Sequence, residues 1–140
     1  MAHITEVVGK YSQVIAKAAL MANGWEVAET ETDETYDFVA RDPINREWYT
    51  FQCKTIRKRS DRNNELVVYA KNGRGIPYAK PDADYIIGVL GEEGEIPRVW
   101  YFENVGCGEY WANETSASKR WIELPLWLNR GIYESDSKVV

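Results

Sequence analysis

Between residues 5 and 22, Val7, Val8, Tyr11, Val14, Ile15, Ala18 and Met21 recur at spacings of three and four, the period of a helix that buries one face. Thr5 stands where an N-cap is expected, and Asn23-Gly24 supplies a left-handed residue to close the helix. The period then shortens to two. Trp25 to Thr30 alternates like a strand, Tyr36 to Arg41 predicts a second strand, and Glu47 to Lys58 predicts a long third one. Asp42-Pro43-Ile44-Asn45 reads as the turn that joins the last two into a hairpin. Leu66 to Ala70 predicts a fourth strand, followed by the flexible Asn72-Gly73-Arg74-Gly75. Tyr85 to Leu90 is a short apolar, β-branched run of the kind found in buried central strands, and Arg98 to Phe102 is expected to pair beside it. Ser116 to Trp121 and Leu124 to Asn129 show no decisive period.

A chain of 140 residues with 44% hydrophobic content is the size of one compact domain, expected to span residues 1–140. No stretch approaches the ~20 consecutive apolar residues of a membrane helix, and the N-terminus has no charged segment followed by an apolar one. The expectation is a cytoplasmic protein without membrane contact. Cys53 and Cys107 lie outside any metal-ligand spacing and read as unpaired thiols. His3 is the single histidine, at the extreme N-terminus, which excludes histidine-based hydrolase triads and most zinc enzymes. Of the six tryptophans, Trp25, Trp48, Trp100 and Trp121 sit in strand-like or amphipathic runs and read as core, while Trp111 is open.

The net charge of -5 argues against a protein that coats nucleic acid by charge alone. The distribution changes that picture. Acids gather in Glu29 to Glu34 and Glu92 to Glu95, whereas residues 54–62 hold Lys54, Arg57, Lys58, Arg59 and Arg62 against Asp61 alone. Alternation in the third strand puts Trp48, Thr50, Gln52, Lys54 and Ile56 on one face. An amide and a lysine projecting together from an apolar strand need polar partners, and a cleft provides them. Asp37, on the preceding strand, is placed to join Gln52 and Lys54. Phosphodiester hydrolysis needs a carboxylate to hold a divalent cation and a positive group near the attacking water or the developing charge. Asp37 suits the first role and Lys54 the second. The Gln52 amide oxygen and the Cys53 carbonyl can complete an oxygen-rich set of the kind magnesium prefers.

A helix, then "YDFVARD", then "FQCKT" resembles the core of the PD-(D/E)XK nucleases, with Asp37 as the aspartate and Gln52-Cys53-Lys54 in the place of (D/E)XK. The Q-x-K form is similar to the branch of intron-encoded homing endonucleases and to phage and archaeal Holliday junction resolvase-like proteins. The resemblance spans residues 9–90. It implies an α/β (α+β), restriction-endonuclease-like core: an N-terminal helix and a mixed central sheet flanked by helices. It also implies a DNA endonuclease using Mg2+, for which Mn2+ can substitute. Tyr36 replaces the family's proline, and Gln13, within Gly9-Lys-Tyr-Ser-Gln13, replaces the glutamate of the helix motif G-x-x-x-E. Gln13 thus joins Asp37, Gln52 and Lys54 as a site residue but brings no charge. Glu6, two turns earlier, is the one acid on that helix placed to compensate.

Beside such a centre, Arg57, Lys58, Arg59, Arg62, Lys71, Arg74 and Lys80 read as phosphate contacts to double-stranded or branched DNA. Cutting two strands at related phosphates suits a homodimer or a dimer of dimers. Two other readings stand beside this one: a catalytically silent nuclease-fold module that binds DNA or protein, and an unrelated α+β protein with Asp37 and Lys54 as a buried ion pair.

Overall fold

The computed structural model describes residues 1–137. Helix α1 (Ile4–Ala22) is followed by strands β1 (Glu26–Ala28), β2 (Phe38–Arg41) and β3 (Trp48–Thr55), then by β4 (Arg57–Arg59) and β5 (Glu65–Tyr69). Strands β6 (Tyr85–Leu90), β7 (Arg98–Glu103) and β8 (Glu109–Ala112) come next, then α2 (Ala117–Arg120), β9 (Ile122–Glu123) and α3 (Arg130–Ser137). Six strands form a sheet in the order β1-β2-β3-β6-β7-β9, and β4-β5-β8 form a smaller one. Only β3 and β6 run parallel; the other pairs are antiparallel. This is a mixed α+β architecture. None of its helices is long and apolar enough to cross a membrane among the described residues.

Helix α1 packs on one face of the large sheet, over Phe38, Phe51, Ile87 and Val89. Its start is capped by His3, whose Nδ1 accepts the Thr5 N–H at 3.2 Å, so the cap falls two residues before the expected Thr5. Its end follows the expectation. Asn23 caps it and donates to the Ala19 and Pro125 carbonyls, both at 2.8 Å, and Gly24 takes a φ of 89°. The buried face, however, is the row of small residues Ser12, Ala16 and Ala19 with Leu20, not the row of larger ones. Val7, Tyr11, Val14 and Met21 are 46%, 44%, 63% and 48% exposed. The sheet supplies the reason. Trp25, Phe38, Phe51, Tyr85 and Tyr101 form a connected group of rings on that face, and bulk already present on the sheet leaves room only for a helix face of small side chains.

The other face of the large sheet is covered by the small one through Ile56, Leu66, Val68, Ile86, Trp100 and Phe102. The expected single strand from Glu47 to Lys58 is broken at Ile56, and β4 leaves for the small sheet. Ile56 N–H still donates to the Val89 carbonyl at 2.8 Å, but its buried side chain turns toward Gly88. A Cβ on Gly88 would lie 2.8 Å from Ile56 Cγ1. Gly88→Ala is therefore expected to cost roughly 1–3 kcal/mol by overpacking, and because Ile56→Ala removes both Cγ1 and Cδ1, the Gly88→Ala/Ile56→Ala double variant is expected to lose less than the two single variants together. Urea unfolding of the four proteins of that cycle checks it.

The parallel register is fixed at the start of β3. Thr50 N–H donates to Asp84 Oδ2 at 2.8 Å and Asp84 N–H donates to Thr50 Oγ1 at 2.9 Å. Fully buried Asn104 donates to the Ala79 and Ala83 carbonyls just before β6. This sets Gln52 beside Ile86 and Lys54 beside Gly88.

Candidate active site

Pairing of β2 with β3 ends at Phe38 opposite Phe51, so residues 52–55 of β3 run on with one edge uncovered. Since Ile56 N–H points to β6, the backbone groups of Gln52 and Lys54 also face β6, and those of Phe51 and Cys53 face the open edge. Asp37 fills that edge. Its N–H donates to the Phe51 carbonyl at 2.9 Å, and its Oδ2 accepts the Cys53 N–H at 2.8 Å. The Cys53 carbonyl points to the same side.

A cleft of about 550 Å³ opens here, walled by the N-terminal half of α1, Asp37, residues 52–55 and Arg57. Gln52 is 9% exposed, lines the cleft, and its amide makes no side-chain hydrogen bond among the described residues. Lys54 Nζ donates to the Lys71 carbonyl at 3.1 Å and lies 5.1 Å from the centre of the Tyr78 ring. Ser12 and Thr55 hydroxyls, 2.8 Å apart, tie α1 to β3 along the cleft. Gln13 lines the cleft from the helix. The four expected site residues are thus brought into one cleft. Tyr78, Ser12, Thr55 and the Lys71 carbonyl are additions that no local pattern marks, since a lone tyrosine after a glycine-rich loop looks like any core residue.

Burial raises the Asp37 carboxyl above its ordinary range; the Cys53 N–H, Lys54, Lys10 and Lys17 pull it down, but by less. The Cys53 thiol is pushed well above its usual range by burial and by Asp37 beside it, so Cys53 offers its carbonyl and not its sulfur. Among the described residues no three His, Cys, Asp or Glu side chains gather, and Glu6 opens onto a different groove, with Val7 and Tyr11. The donor set is one carboxylate with neutral oxygens. It fits an oxygen-preferring cation: a half-buried carboxylate not neutralised by its lysines stands beside an amide that opens into the cleft and has no side-chain partner among the described residues.

A carboxyl whose folded value is raised loses stability for the fold as pH rises from its ordinary range through the folded value, because the folded state binds that proton more tightly than the unfolded chain does. At neutral pH the ionised Asp37 therefore weakens the metal-free fold. Asp37→Asn, which keeps an oxygen for the Cys53 N–H, is expected to raise the neutral-pH Tm by a few degrees and to remove any Tm increase produced by magnesium in the parent. Calorimetry with and without the ion reads both.

The seven basic residues separate into two groups. Lys58 pairs with Glu114 at 2.9 Å, Arg62 with Glu65 and Glu109, and Lys80 with Glu103. Arg59 is held by Asp61 and the Tyr69 hydroxyl. Arg57, Lys71 and Arg74 are exposed and have no ion pair among the described residues. Arg57 lies over the Tyr69 ring at 5.8 Å and on the cleft wall, Lys71 holds Lys54 through its carbonyl, and Arg74 heads a loop knotted by Asn72 Oδ1, which accepts two backbone N–H groups.

No protein-family model and no curated protein matches the chain. The arrangement of helix and mixed sheet does match that of a solved structure. The chain is similar to I-Ssp6803I, a bacterial homing endonuclease, with a TM-score of 0.64 and 23% identity over 80% of each chain. That likeness establishes the fold.

Proposed function

We propose that the chain is a DNA endonuclease of the PD-(D/E)XK type that hydrolyses phosphodiester bonds with magnesium, or manganese in its place. The observation that supports this most is the meeting of Asp37, the partnerless Gln52 amide and Lys54 at the uncovered edge of β3. Asp37, Gln52 and the Cys53 carbonyl would hold the cation, which supplies phosphate polarisation and a water of lowered pKa. Asp37 is itself fixed by the Cys53 N–H. Lys54, presented by the Tyr78 ring and the Lys71 carbonyl, orients the attacking water and offsets charge on the phosphate. Gln13 and the Ser12–Thr55 pair supply neutral hydrogen bonds to the same cleft.

Double-stranded or branched DNA would meet Arg57 on the cleft wall, with Lys71, whose carbonyl holds Lys54, and Arg74 on the loop that follows as further phosphate contacts; Lys58, Arg59, Arg62 and Lys80 join only by exchanging their carboxylate partners for phosphates. Cleavage of plasmid, linear duplex and four-way junction DNA, with and without magnesium or manganese, tests the proposal and separates a homing or restriction-like enzyme from a junction resolvase. One observation favours a second reading, a silent nuclease-fold module that binds DNA or protein: among the described residues Asp37 is the only carboxylate on the cleft wall. DNA binding without cutting on every substrate and with both ions would select it.

A further inference from the structure

The small sheet turns Leu66, Val68 and Ala112 toward the large one, so the alternate residues of its strands point the other way. Register places Arg57, Val67 and Trp111 side by side across that outer face, with Tyr69 one pleat further along β5. Val67 is fully buried there, roofed by the larger side chains around it. Trp111, left open by its sequence context, is 44% exposed. The Arg120 guanidinium lies over its ring at 4.0 Å and donates to its carbonyl at 3.0 Å. Arg57 lies over the Tyr69 ring at 5.8 Å and also walls the Asp37 cleft, so the face and the cleft are continuous. The carboxylates on and beside the face are matched within the protein, Glu65 and Glu109 by Arg62 and Asp61 by Arg59. Arg57 and Arg120 are exposed and have no ion pair among the described residues, which leaves the face its unmatched charge as positive.

We propose that this face is a stacking platform for unpaired bases of the DNA strand whose phosphate enters the Asp37 cleft. The Trp111–Arg120 pair offers the plane, and Arg57 holds a phosphate between that plane and the cleft. The inference rests on the reading of the cleft as a nucleic-acid site. Bases inside a duplex show only their edges in the grooves, and the guanidinium forks that would read edges are engaged within the protein. Arg120 donates to the Trp111 carbonyl, and Arg59 to Asp61 and the Tyr69 hydroxyl. What stays open is the plane of the stacked pair, a surface that takes a base once it has left the helix. Spacing agrees. Strand β8 lies two strand spacings from β4, about 10 Å, which is about three steps of a strand that rises ~3.4 Å per nucleotide in the duplex. A base on Trp111 thus belongs to a nucleotide close to the cut. The substrate class this implies is DNA with unpaired bases beside the scissile phosphate, as at a flap, a bubble or a branch.

Fluorescence anisotropy of labelled DNA in metal-free buffer tests it, with a blunt duplex and the same duplex carrying a single-stranded oligothymidylate arm. The full-length parent is expected to bind the armed duplex at least about fivefold more tightly, and Trp111→Ala to lose that preference while binding the blunt duplex as the parent does. Trp111→Phe keeps most of the preference. Arg120→Lys, which keeps the charge and removes the plane, loses most of it; should alanine at Trp111 unsettle the sheet, this variant at an exposed position carries the test. Arg57→Ala lowers the salt slope by about one on both substrates. Failure of the two readings is separable. Arm-dependent binding without cleavage in magnesium or manganese overturns the nuclease activity and leaves the platform. Equal affinity of the parent for the two duplexes, or a preference that Trp111→Ala and Arg120→Lys both keep, overturns the platform whether or not the protein cuts. Self-association of the parent that Trp111→Ala abolishes would give the face to a second copy and overturn it as well.

Discussion

Asp37→Ala is expected to lower DNA cleavage by about 10³-fold or more, with DNA affinity in the absence of metal little changed. The expected size follows from the composition of the site. With Asp37 the only carboxylate on the cleft wall among the described residues and Glu6 turned to another groove, none of them offers a second acid to hold a cation. The substitution also frees the Cys53 N–H from the acceptor that held it at 2.8 Å, so the neutral donors lose their alignment at the same time. Lys54→Ala would leave the proposed cation set intact and remove one positive donor from the proposed reacting centre, for which a loss of about 10²–10³-fold is in scale. The two variants differ in kind. Raising magnesium concentration leaves Asp37→Ala inactive, while Lys54→Ala retains the parent's metal dependence at a lower rate. Metal-dependence curves of the cleavage rate for the three proteins read the distinction, and a parent-like rate in Asp37→Ala removes this cleft from the chemistry.

Phe51→Ala has the largest expected effect on stability, about 3–5 kcal/mol, in a class of protein whose whole stability is about 5–15 kcal/mol. Phe51 is fully buried and touches four rings: Trp25 at 5.6 Å edge-on, Phe38 at 5.7 Å stacked, Tyr85 at 5.3 Å stacked, and Tyr101 at 6.1 Å edge-on. These rings come from separate strands and from the segment that leaves α1, so the hole cannot close by shifting one element. The residue also precedes Gln52, and its carbonyl takes the Asp37 N–H, which couples the core to the site. Urea unfolding gives the loss. Phe51→Leu, which refills most of the volume, is expected to restore more than half of it, and an alanine variant within 1 kcal/mol of the parent would show that the ring cluster does not anchor the sheet.

Residues that act on their near neighbours were legible in the chain. The runs Tyr85 to Leu90 and Arg98 to Phe102 became β6 and β7 almost to the residue, because β-branched and aromatic content and a period of two are properties of the strand itself. Asn23-Gly24 ended α1 for a similarly local reason. The convergence of Asp37, Gln52 and Lys54 was also legible: two lie two residues apart on one strand and the third across a short hairpin, so alternation and a turn suffice to bring them together.

Other features depended on what each element met. The apolar row of α1 has the right period for burial, yet the rings on the sheet selected the small-residue face instead. The strand from Glu47 onward has no sequence break at Ile56; the break exists because Gly88, 32 positions on, leaves a space that Ile56 enters. The basic segment looked uniform, and carboxylates delivered by β5, β8 and the turn after it, Glu114 to Lys58 and Glu65 and Glu109 to Arg62, divided these two from Arg57, while Arg59 took its partner Asp61 from within the segment. Period, turn chemistry and charge are written residue by residue, so the sequence determined the elements and the reactive groups they bear. Which face is buried, where a strand changes sheets and which charges stay unpaired are set by close packing between distant segments, and those the tertiary structure decided.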